Sequence, residues 1–207
     1  MGLGILKIIR FVVPPALILV YAALLGGITG WWSVSLPDFE KALYLPVLVI
    51  PGALYYITPL RRWVNTPHHN LVSEKLRKGL VEIAGYEDKE DRYTWKKLRP
   101  LFFSLIDQDE SLKQKASLAY ANGAIWTSFA DATALAIIFA LLSGVMYLLK
   151  IEYAFLAGII FVLIALACYL GSLVTTSRHI GIGAEQLEIM ELKYKSEIEK
   201  RLNSLDR

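Results

Sequence analysis

The segment WTSFADATALAIIFALLSG, residues 126–144, decides the fold class, because it is almost entirely apolar and long enough to cross most of a lipid bilayer. The hydrocarbon core of a bilayer is about 30 Å thick, so a helix that rises about 1.5 Å per residue needs about 20 mainly apolar residues to span it. One acid, Asp131, stands near the start of the segment. Because an ionised side chain inside a bilayer is costly, an acid in or beside a span is a candidate functional residue.

The composition of the whole chain also favours a membrane protein. Of its 207 residues, 55% are apolar and only 20% are charged, which is too apolar for a typical soluble domain. The single cysteine, Cys168, lies in an apolar run, so no intramolecular disulfide can form. No cluster of Cys and His has the spacing of metal ligands, so we expect no metal site and no cofactor.

Four apolar runs are long enough to predict transmembrane helices, at residues 11–32, 43–60, 126–149 and 153–175. Only three residues separate the last two runs, which predicts a tight helical hairpin. The chain then divides into a transmembrane hairpin (1–60), a polar segment (61–125), a second transmembrane hairpin (126–176) and a polar tail (177–207). We therefore predict an all-α membrane protein with four transmembrane helices.

The distribution of Lys and Arg predicts the orientation in the membrane. If the N-terminus is inside, all of the 22 Lys and Arg residues except Lys41 and Lys150 fall on the cytoplasmic side. This asymmetry predicts a multi-pass protein of the bacterial inner membrane with both termini in the cytoplasm. The alternative, that the first run is a cleaved signal peptide, is disfavoured by its length and by the lack of a small-x-small cleavage site.

The polar segment 61–125 carries the signals of a helical cytoplasmic loop. Thr66 is a candidate N-cap before Pro67 in a first helical turn, and Gly85 is a candidate helix stop. A second helix is predicted to begin at Pro100, since proline is tolerated in a first turn.

A third helix of this loop is predicted to continue into the span at 126–149. Asp109 or Ser111 is the candidate N-cap, and the sequence SLKQKASLAYANGAIW continues without a helix breaker into the span. The loop would then be joined to the third span by one unbroken helix.

The tail 177–207 is predicted to form an amphipathic helix, because its apolar residues recur at steps of three or four among Glu and Lys. This stripe either packs on the helices of the cytoplasmic loop or contacts a neighbouring chain. Its candidate partner-binding residues are Leu187, Met190, Tyr194 and Ile198.

Asp131 lies about 27 Å along a straight helix from Leu149, which places it near the inner membrane surface. It is either a solvated interfacial acid or an acid that lines a vestibule or holds a gate. Arg178, at the end of the fourth span, could reach it only by snorkelling or by a shift in register. The candidates for gating or coupling are Asp131, Asn122, Arg178 and His179.

Small residues recur on two of the predicted spans and are candidates for helix packing: Ala22, Gly26, Gly30, Gly158, Ala165 and Ser172. Because one of the two faces could serve packing within the chain and the other contact with a second copy, we expect a homo-oligomer. The second span is rich in proline. Either its helix is simply kinked, or it contains a hinge, for which the candidates are Pro46, Pro51 and Gly52.

The sequence lacks the patterns of an enzyme. It contains no GxSxG, no Walker motif and no glycine-rich phosphate loop, and its three histidines are expected at the inner surface. Arg62 and His68 have the arginine-x5-histidine spacing that resembles the motif of HEPN ribonucleases, but Pro67 interrupts it. We therefore predict a protein that is not an enzyme and does not bind nucleic acid directly.

The layout of four passes, helical cytoplasmic segments and short outer loops resembles the membrane components of small bacterial defence systems such as Kiwa. The resemblance covers topology across the whole chain and assigns a role to no residue. It implies a part in anti-phage defence. We predict a protein that anchors a cytoplasmic partner or relays a membrane signal to it; the alternative is an oligomeric ion-conducting pore or membrane-disrupting effector.

Overall fold

The computed structural model describes residues 3–31, 45–86 and 92–205, and these residues form an all-helical fold. The helices are α1 (Leu3–Thr29), α2 (Leu45–Ile57), α3 (Pro59–Ile83), α4 (Trp95–Gln108), α5 (Glu110–Leu148) and α6 (Ala154–Leu205). They group into two compact units. The apolar unit comprises residues 2–66 and 124–174, and the polar unit comprises residues 67–123 and 175–207, so that α3, α5 and α6 each contribute to both.

Three of the described helices are long and apolar enough to cross a membrane: α1 over Arg10–Thr29, α5 and α6. They indicate a membrane-embedded, multi-pass protein. The predicted span 43–60 corresponds to α2, which has 13 residues and a length of only about 20 Å. Residues 43 and 44 lie outside the described part of the chain. The sequence prediction of four spans is therefore supported for three helices.

Packing in the apolar unit centres on three aromatic rings. Tyr21 of α1 meets Phe139 and Phe161 at ring-centroid distances of 5.7 and 5.5 Å, and the two phenylalanines are 5.4 Å apart. Small residues permit close packing elsewhere in this unit. Ala157 is fully buried, and a Cβ on Gly171 would lie 2.8 Å from the ring of Phe129.

Most of the predicted packing residues lie in this interior. Gly26, Ala165 and Ser172 are buried, and Ala22 and Gly158 are half-buried. Gly30 has a different role, because α1 ends at Thr29 and Gly30 follows it with a φ of +64°. Its N–H donates to the carbonyl of Gly26 at 2.8 Å, so Gly30 closes the helix in the left-handed conformation that glycine adopts at low cost.

The predicted hinge residues all lie within the bounds of α2. A Cβ on Gly52 would lie 2.7 to 2.9 Å from ring atoms of Pro15 in α1, so glycine at this position permits close contact between the two helices. The side chains of Pro46 and Pro51 lie outside the described part of the structure. The hinge stays a prediction.

The turn between α5 and α6 confirms the predicted tight hairpin. Lys150 and Tyr153 have φ angles of 61° and 56°, and the N–H of Ile151 donates to the carbonyl of Met146 at 3.0 Å. The chain therefore reverses direction within five residues, 149–153.

The polar unit has its own core, which α3, α4, α5 and α6 build together. Leu80, Leu98, Leu105 and Leu112 are fully buried there. The tail of α6 completes it, with Met190, Ile198 and Leu202 fully buried and Leu187 and Tyr194 packed against them.

The assignment of Leu187, Met190, Tyr194 and Ile198 to partner binding is therefore wrong for this conformation. The apolar stripe of the tail faces the apolar faces of α3 and α4, which bury it within the chain. The alternative prediction, that the tail packs on the helices of the loop, agrees with the structure.

Two predicted helix starts are wrong, whereas one predicted start and one predicted stop are confirmed. Helix α3 begins at Pro59 rather than near Pro67, and α4 begins at Trp95, after Thr94, rather than at Pro100. Pro67 and Pro100 both lie on exposed faces, where water can solvate the carbonyl group that each proline leaves without its helical donor.

Gly85, with a φ of +70°, follows the end of α3 as predicted. The N–H of Leu112 donates to Asp109 Oδ1 at 3.0 Å, which confirms Asp109 as the cap of α5. From Glu110 to Leu148 the helix is unbroken.

Asp109 also ties α5 to the tail of α6. Its Oδ2 accepts hydrogen bonds from Lys193 Nζ at 2.7 Å and from Tyr194 Oη at 3.3 Å. The hydrogen bond from Lys193, with that from the backbone of Leu112, lowers the pKa of Asp109 from 3.8 to about 2. The same pair raises the pKa of Lys193. Each group is therefore stabilised in its charged form in the folded protein.

We expect the substitution Asp109→Ala to lower the melting temperature of the polar unit and to reduce its dependence on pH. In the wild type the unfolded state binds a proton at Asp109 near pH 3.8 and the folded state only near pH 2, so the stabilisation is present above pH 3.8 and lost as the pH falls towards 2. Circular dichroism melts at pH 7 and pH 3 measure both effects. Asp107→Ala, at an exposed position of α4, is the control. Equal pH dependence in the two variants would contradict the assignment.

Candidate functional site

Asp131 is buried in the apolar unit, with only 1% of its surface exposed. Its flanking residues on α5 include Ala130, Ala132 and Ala134, which are buried and small enough for two other helices to approach the carboxylate. The side chains that meet it come from α2 and α3. The sequence interpretation of Asp131 as a solvated interfacial acid is therefore wrong.

Arg61, in the first turn of α3, supplies the positive charge. Its Nε lies 3.3 Å from Asp131 Oδ1 and 3.2 Å from Oδ2, so one N–H is shared between the two oxygens. The guanidinium carbon lies 3.9 Å from the ring centroid of Tyr56, and an Nη atom donates to the carbonyl of Arg10 at 3.3 Å. Arg61 thus connects α1, α2 and α5 through a single side chain.

Two uncharged side chains complete the charge cluster, which we define as Tyr55, Arg61, Asn65 and Asp131. Tyr55 Oη donates to Asp131 Oδ1 at 3.0 Å, and Asn65 Nδ2 donates to the same oxygen at 3.4 Å. Asn65 Nδ2 also donates to the carbonyl of Arg61 at 2.9 Å. All three partners of Asp131 can donate hydrogen bonds, which is the environment that an ionised carboxylate requires.

Placing the charge cluster among apolar residues costs free energy. Burial removes the Asp131 carboxylate and most of the Arg61 side chain from water. The attraction between the two charges offsets that cost only when the geometry is good and the remaining donors and acceptors are satisfied. One acceptor in the cluster is not satisfied, since the buried Oδ1 of Asn65 has no hydrogen-bond partner among the described residues. A sequence can dispense with such a cluster by using apolar residues, so its presence favours a role beyond stability.

A second polar group lies in the polar unit and joins α3, α5 and α6. Asn122 Nδ2 donates to the carbonyl of Thr175 at 2.8 Å and lies 3.4 Å from Nδ1 of His179. Nδ1 of His68 lies 2.9 Å from Oγ1 of Thr176, and burial lowers the pKa of His68 because it disfavours the charged imidazolium. The structure thus brings together two of the predicted coupling candidates, Asn122 and His179.

Arg178, which the sequence suggested as a partner of Asp131 only through snorkelling or a shift in register, has an exposed side chain. The partner of Asp131 is Arg61, which entered the sequence analysis only as one of the Lys and Arg residues on the cytoplasmic side. A pattern that could have identified it is the spacing of Arg61 and Asn65, which places two donors on one face of a helix. Tyr55 could not be inferred from spacing, because it lies on a different helix.

The described residues contain no group of three or more His, Cys, Asp or Glu that could hold a metal ion. The charge cluster contains one carboxylate, and the side chains that donate hydrogen bonds to it belong to the same unit. The interaction that it provides is electrostatic, because one ion pair and its hydrogen bonds join four helices.

We expect Arg61→Gln to destabilise the protein by about 3 to 5 kcal/mol, because it leaves the buried Asp131 charge without its partner. Asp131→Asn should destabilise it less, because the Arg61 charge that it leaves unpaired is partly exposed. The double variant should lose less than the sum of the two, by about 1 kcal/mol or more. Unfolding in mixed micelles of mild detergent and sodium dodecyl sulfate measures all three. Arg62→Gln, at the exposed neighbour of Arg61, is the control and should change stability by less than about 0.5 kcal/mol. Additive effects of the two changes would contradict a coupled pair.

Comparison of the chain with protein families, with curated proteins and with solved structures finds no match. The residues of the charge cluster, and the burial of the polar residues around it, are therefore the features from which a function can be proposed.

Proposed function

We propose that the protein is a non-enzymatic, four-pass protein of the bacterial inner membrane that anchors a soluble cytoplasmic partner or relays a membrane event to it. The observation that carries this proposal is the burial of the polar residues at the ends of the apolar runs. Asn122, Thr127, Asp131 and Thr176 are each less than 8% exposed. In a conducting path such residues would face water, whereas in a signalling bundle they are buried between helices.

The hydrogen bonds of these residues support the same distinction. Asp131 accepts all of its described bonds within the apolar unit, and Thr127 Oγ1 donates to the carbonyl of Ala124 at 3.0 Å. A polar group that is already paired with its own helices offers little to a passing ion. The described residues of a single chain therefore favour a relay over a pore.

The proposed relay uses the helices that contribute to both units. Arg61 and Asn65 lie on α3, which continues into the core of the polar unit with Val72, Leu76 and Leu80. Asp131 lies on α5, which also carries Asn122. A membrane event that separates Asp131 from Arg61 would free two helices that are anchored in the polar unit, and so bias a two-state equilibrium there.

The remaining parts of the proposal rest on sequence. The excess of Lys and Arg in 61–115 and 178–207 supports four crossings with both termini in the cytoplasm. The resemblance in layout to membrane components of small bacterial defence systems supports a part in anti-phage defence.

A homo-oligomer is supported by an open apolar groove of about 310 Å³ between α5 and α6. Its lining includes Ala140, Ser143, Gly144 and Gly158. No described atom lies within 4 Å of a Cβ placed on Gly144, so space remains beside this backbone for a helix of a second copy. Ser143 is compatible with an apolar neighbour, because its hydroxyl already donates to the carbonyl of Phe139 at 2.8 Å.

We expect proteoliposomes that contain the wild-type protein to release potassium no faster than protein-free vesicles, because Asp131 and Thr127 are buried and already hydrogen-bonded within the apolar unit. Potassium efflux measured with an ion-selective electrode tests this expectation. Efflux from the wild type that Asp131→Asn reduces would contradict the relay and establish an oligomeric pore.

The relay also predicts that a change at Asp131 is detected in the polar unit. Hydrogen exchange in nanodiscs should be faster for amides of residues 67–86 and 175–205 in Asp131→Asn than in the wild type, under conditions where the core of the apolar unit stays protected. Ser143→Ala is the matched control, since it removes a buried polar group from the same helix without touching the charge cluster. Unchanged exchange in the polar unit of Asp131→Asn would contradict coupling through this cluster.

A further inference from the structure

Two of the three histidines in the chain belong to a polar junction between α3, α5 and α6 in the polar unit. We name it the histidine junction and define it as His68, Asn122, Thr175, Thr176 and His179. His68 comes from α3, Asn122 from α5 and the other three residues from α6. Asn122 and Thr176 are buried, and the remaining three residues are half-buried. The two imidazole rings therefore lie between helices and not on the open surface.

The amide of Asn122 determines which protonation state of His179 it can contact favourably. Its nitrogen, Nδ2, donates one hydrogen to the carbonyl of Thr175 at 2.8 Å. Nδ1 of His179 lies 3.4 Å from the same nitrogen. An unprotonated Nδ1 can accept the second hydrogen of the amide, whereas in the charged imidazolium both ring nitrogens are donors. The contact is therefore favourable only while Nδ1 of His179 carries no proton.

Rotation of the Asn122 amide offers a second arrangement. Its oxygen, Oδ1, is buried and has no hydrogen-bond partner among the described residues. In the rotated amide this oxygen could accept a hydrogen bond from a protonated His179, but it would also replace the donor to the carbonyl of Thr175, and two acceptors cannot form a hydrogen bond. A proton on His179 thus changes which of the two contacts with α6 is favourable.

His68 disfavours a proton for a different reason. Its Nδ1 lies 2.9 Å from Oγ1 of Thr176, and burial lowers the pKa of His68 from its ordinary value of 6.5. A histidine that is exposed by separation of the helices therefore binds a proton more readily than one in the junction. The packing of His68 is fully stabilising above pH 6.5 and loses stability as the pH falls below that value.

The charges around the junction do not favour protonation of either ring. Within the polar unit, the acidic and basic residues within about two turns of the junction on its three helices are His69, Glu74, Lys75, Lys115, Arg178 and Glu185. Both acids in this set are paired with cations of the chain, Glu74 with Arg77 and Lys78, and Glu185 with Lys115. Lys75 and Arg178 are exposed and add positive charge, which disfavours a further cation nearby.

We propose that the histidine junction is a pH-sensitive latch of the polar unit, closed when His68 and His179 are neutral and opened when acidification protonates them. The proposal deepens the proposed function and rests on it, because it identifies protons as a regulator of the relay. The latch lies on helices that the relay uses, since α3 also carries Arg61 and α5 also carries Asp131. Opening would loosen α3 from α6 and exchange the contacts between α5 and α6.

The first test determines the protonation of the rings directly. The full-length protein, labelled with ¹⁵N and ¹³C at histidine, is held in phosphatidylcholine nanodiscs, and NMR records the ring nitrogens from pH 8 to pH 5. Because the chain has only three histidines, single His→Gln variants assign every signal. At neutral pH we expect the proton of His179 on Nε2, and we expect His68 to titrate below pH 6.5. A proton on Nδ1 of His179 at neutral pH, or titration of His68 at or above pH 6.5, would overturn the proposal.

The second test determines whether protonation opens the junction. Hydrogen exchange of the wild type, corrected for the intrinsic effect of pH, should be at least about threefold faster at pH 5.5 than at pH 7.5 for amides of α3 and α6 in the polar unit. The double variant His68→Gln/His179→Gln should lose this dependence on pH. His69→Gln is the matched control, because it removes the exposed neighbour of His68, and it should retain the dependence. Equal behaviour of the control and the double variant would contradict the latch.

Failure of the latch and failure of the relay are distinguishable. The histidine titration and the pH dependence of exchange test the latch in a protein that retains Asp131. Comparison of Asp131→Asn with the wild type at pH 7.5 tests the relay while the latch is closed. A protein that is coupled in the second comparison, but whose exchange does not depend on His68 and His179, would lose only the latch.

Discussion

Burial of the Asp131 carboxylate is the constraint on which the arrangement of the apolar unit depends. Neither lipid nor apolar side chains can donate hydrogen bonds to a carboxylate, so the donors must come from the protein itself. The alanines that flank Asp131 on α5 provide none. Tyr55 on α2 and Arg61 and Asn65 on α3 must then be held at fixed positions along α5. The bond from Arg61 to the carbonyl of Arg10 extends the same requirement to α1.

The polar unit is organised by a different interaction. Its stability comes from the apolar stripe of α6, where Met190, Ile198 and Leu202 are fully buried against the other helices. Asp109 is the acid that most resembles Asp131 in this unit, since it also accepts bonds from two other residues on a different helix. Its partner Lys193 is half exposed, however, and a surface pair contributes little to stability. The two acids therefore affect their units differently. Asp109 adds to the stability of a core that apolar residues form, whereas the burial of Asp131 costs free energy that the donors on the other helices must offset.

Features that depend on local physics could be predicted from the sequence. Hydropathy identified the apolar helices α1, α5 and α6, positive φ at glycine explains the stop at Gly85, and the short side chain of Asp109 marked the start of α5. The prolines misled the prediction of helix starts. Pro67 and Pro100 resemble first-turn residues in sequence, but only the fold shows that each lies on an exposed face, where an interior proline is tolerated. The partner of Asp131 could not be found by counting residues, because depth along a helix does not determine which neighbouring helix faces the acid.

The same limit separates the two functional interpretations, since a pore and a signalling bundle can share every polar residue and differ only in where those residues point. Ordinary conduction requires ligands that bind an ion weakly and release it, which demands polar groups with spare hydrogen-bonding capacity beside water. In this protein Asp131 and the amide nitrogen of Asn122 already bond to neighbouring helices. The side-chain oxygens of Asn65 and Asn122 have no hydrogen-bond partner among the described residues, but both atoms are buried. Polar groups that bond to neighbouring helices of the same chain determine how those helices pack. A change in that packing is what a relay transmits, and breaking a buried ion pair is a discrete event large enough to shift a two-state equilibrium.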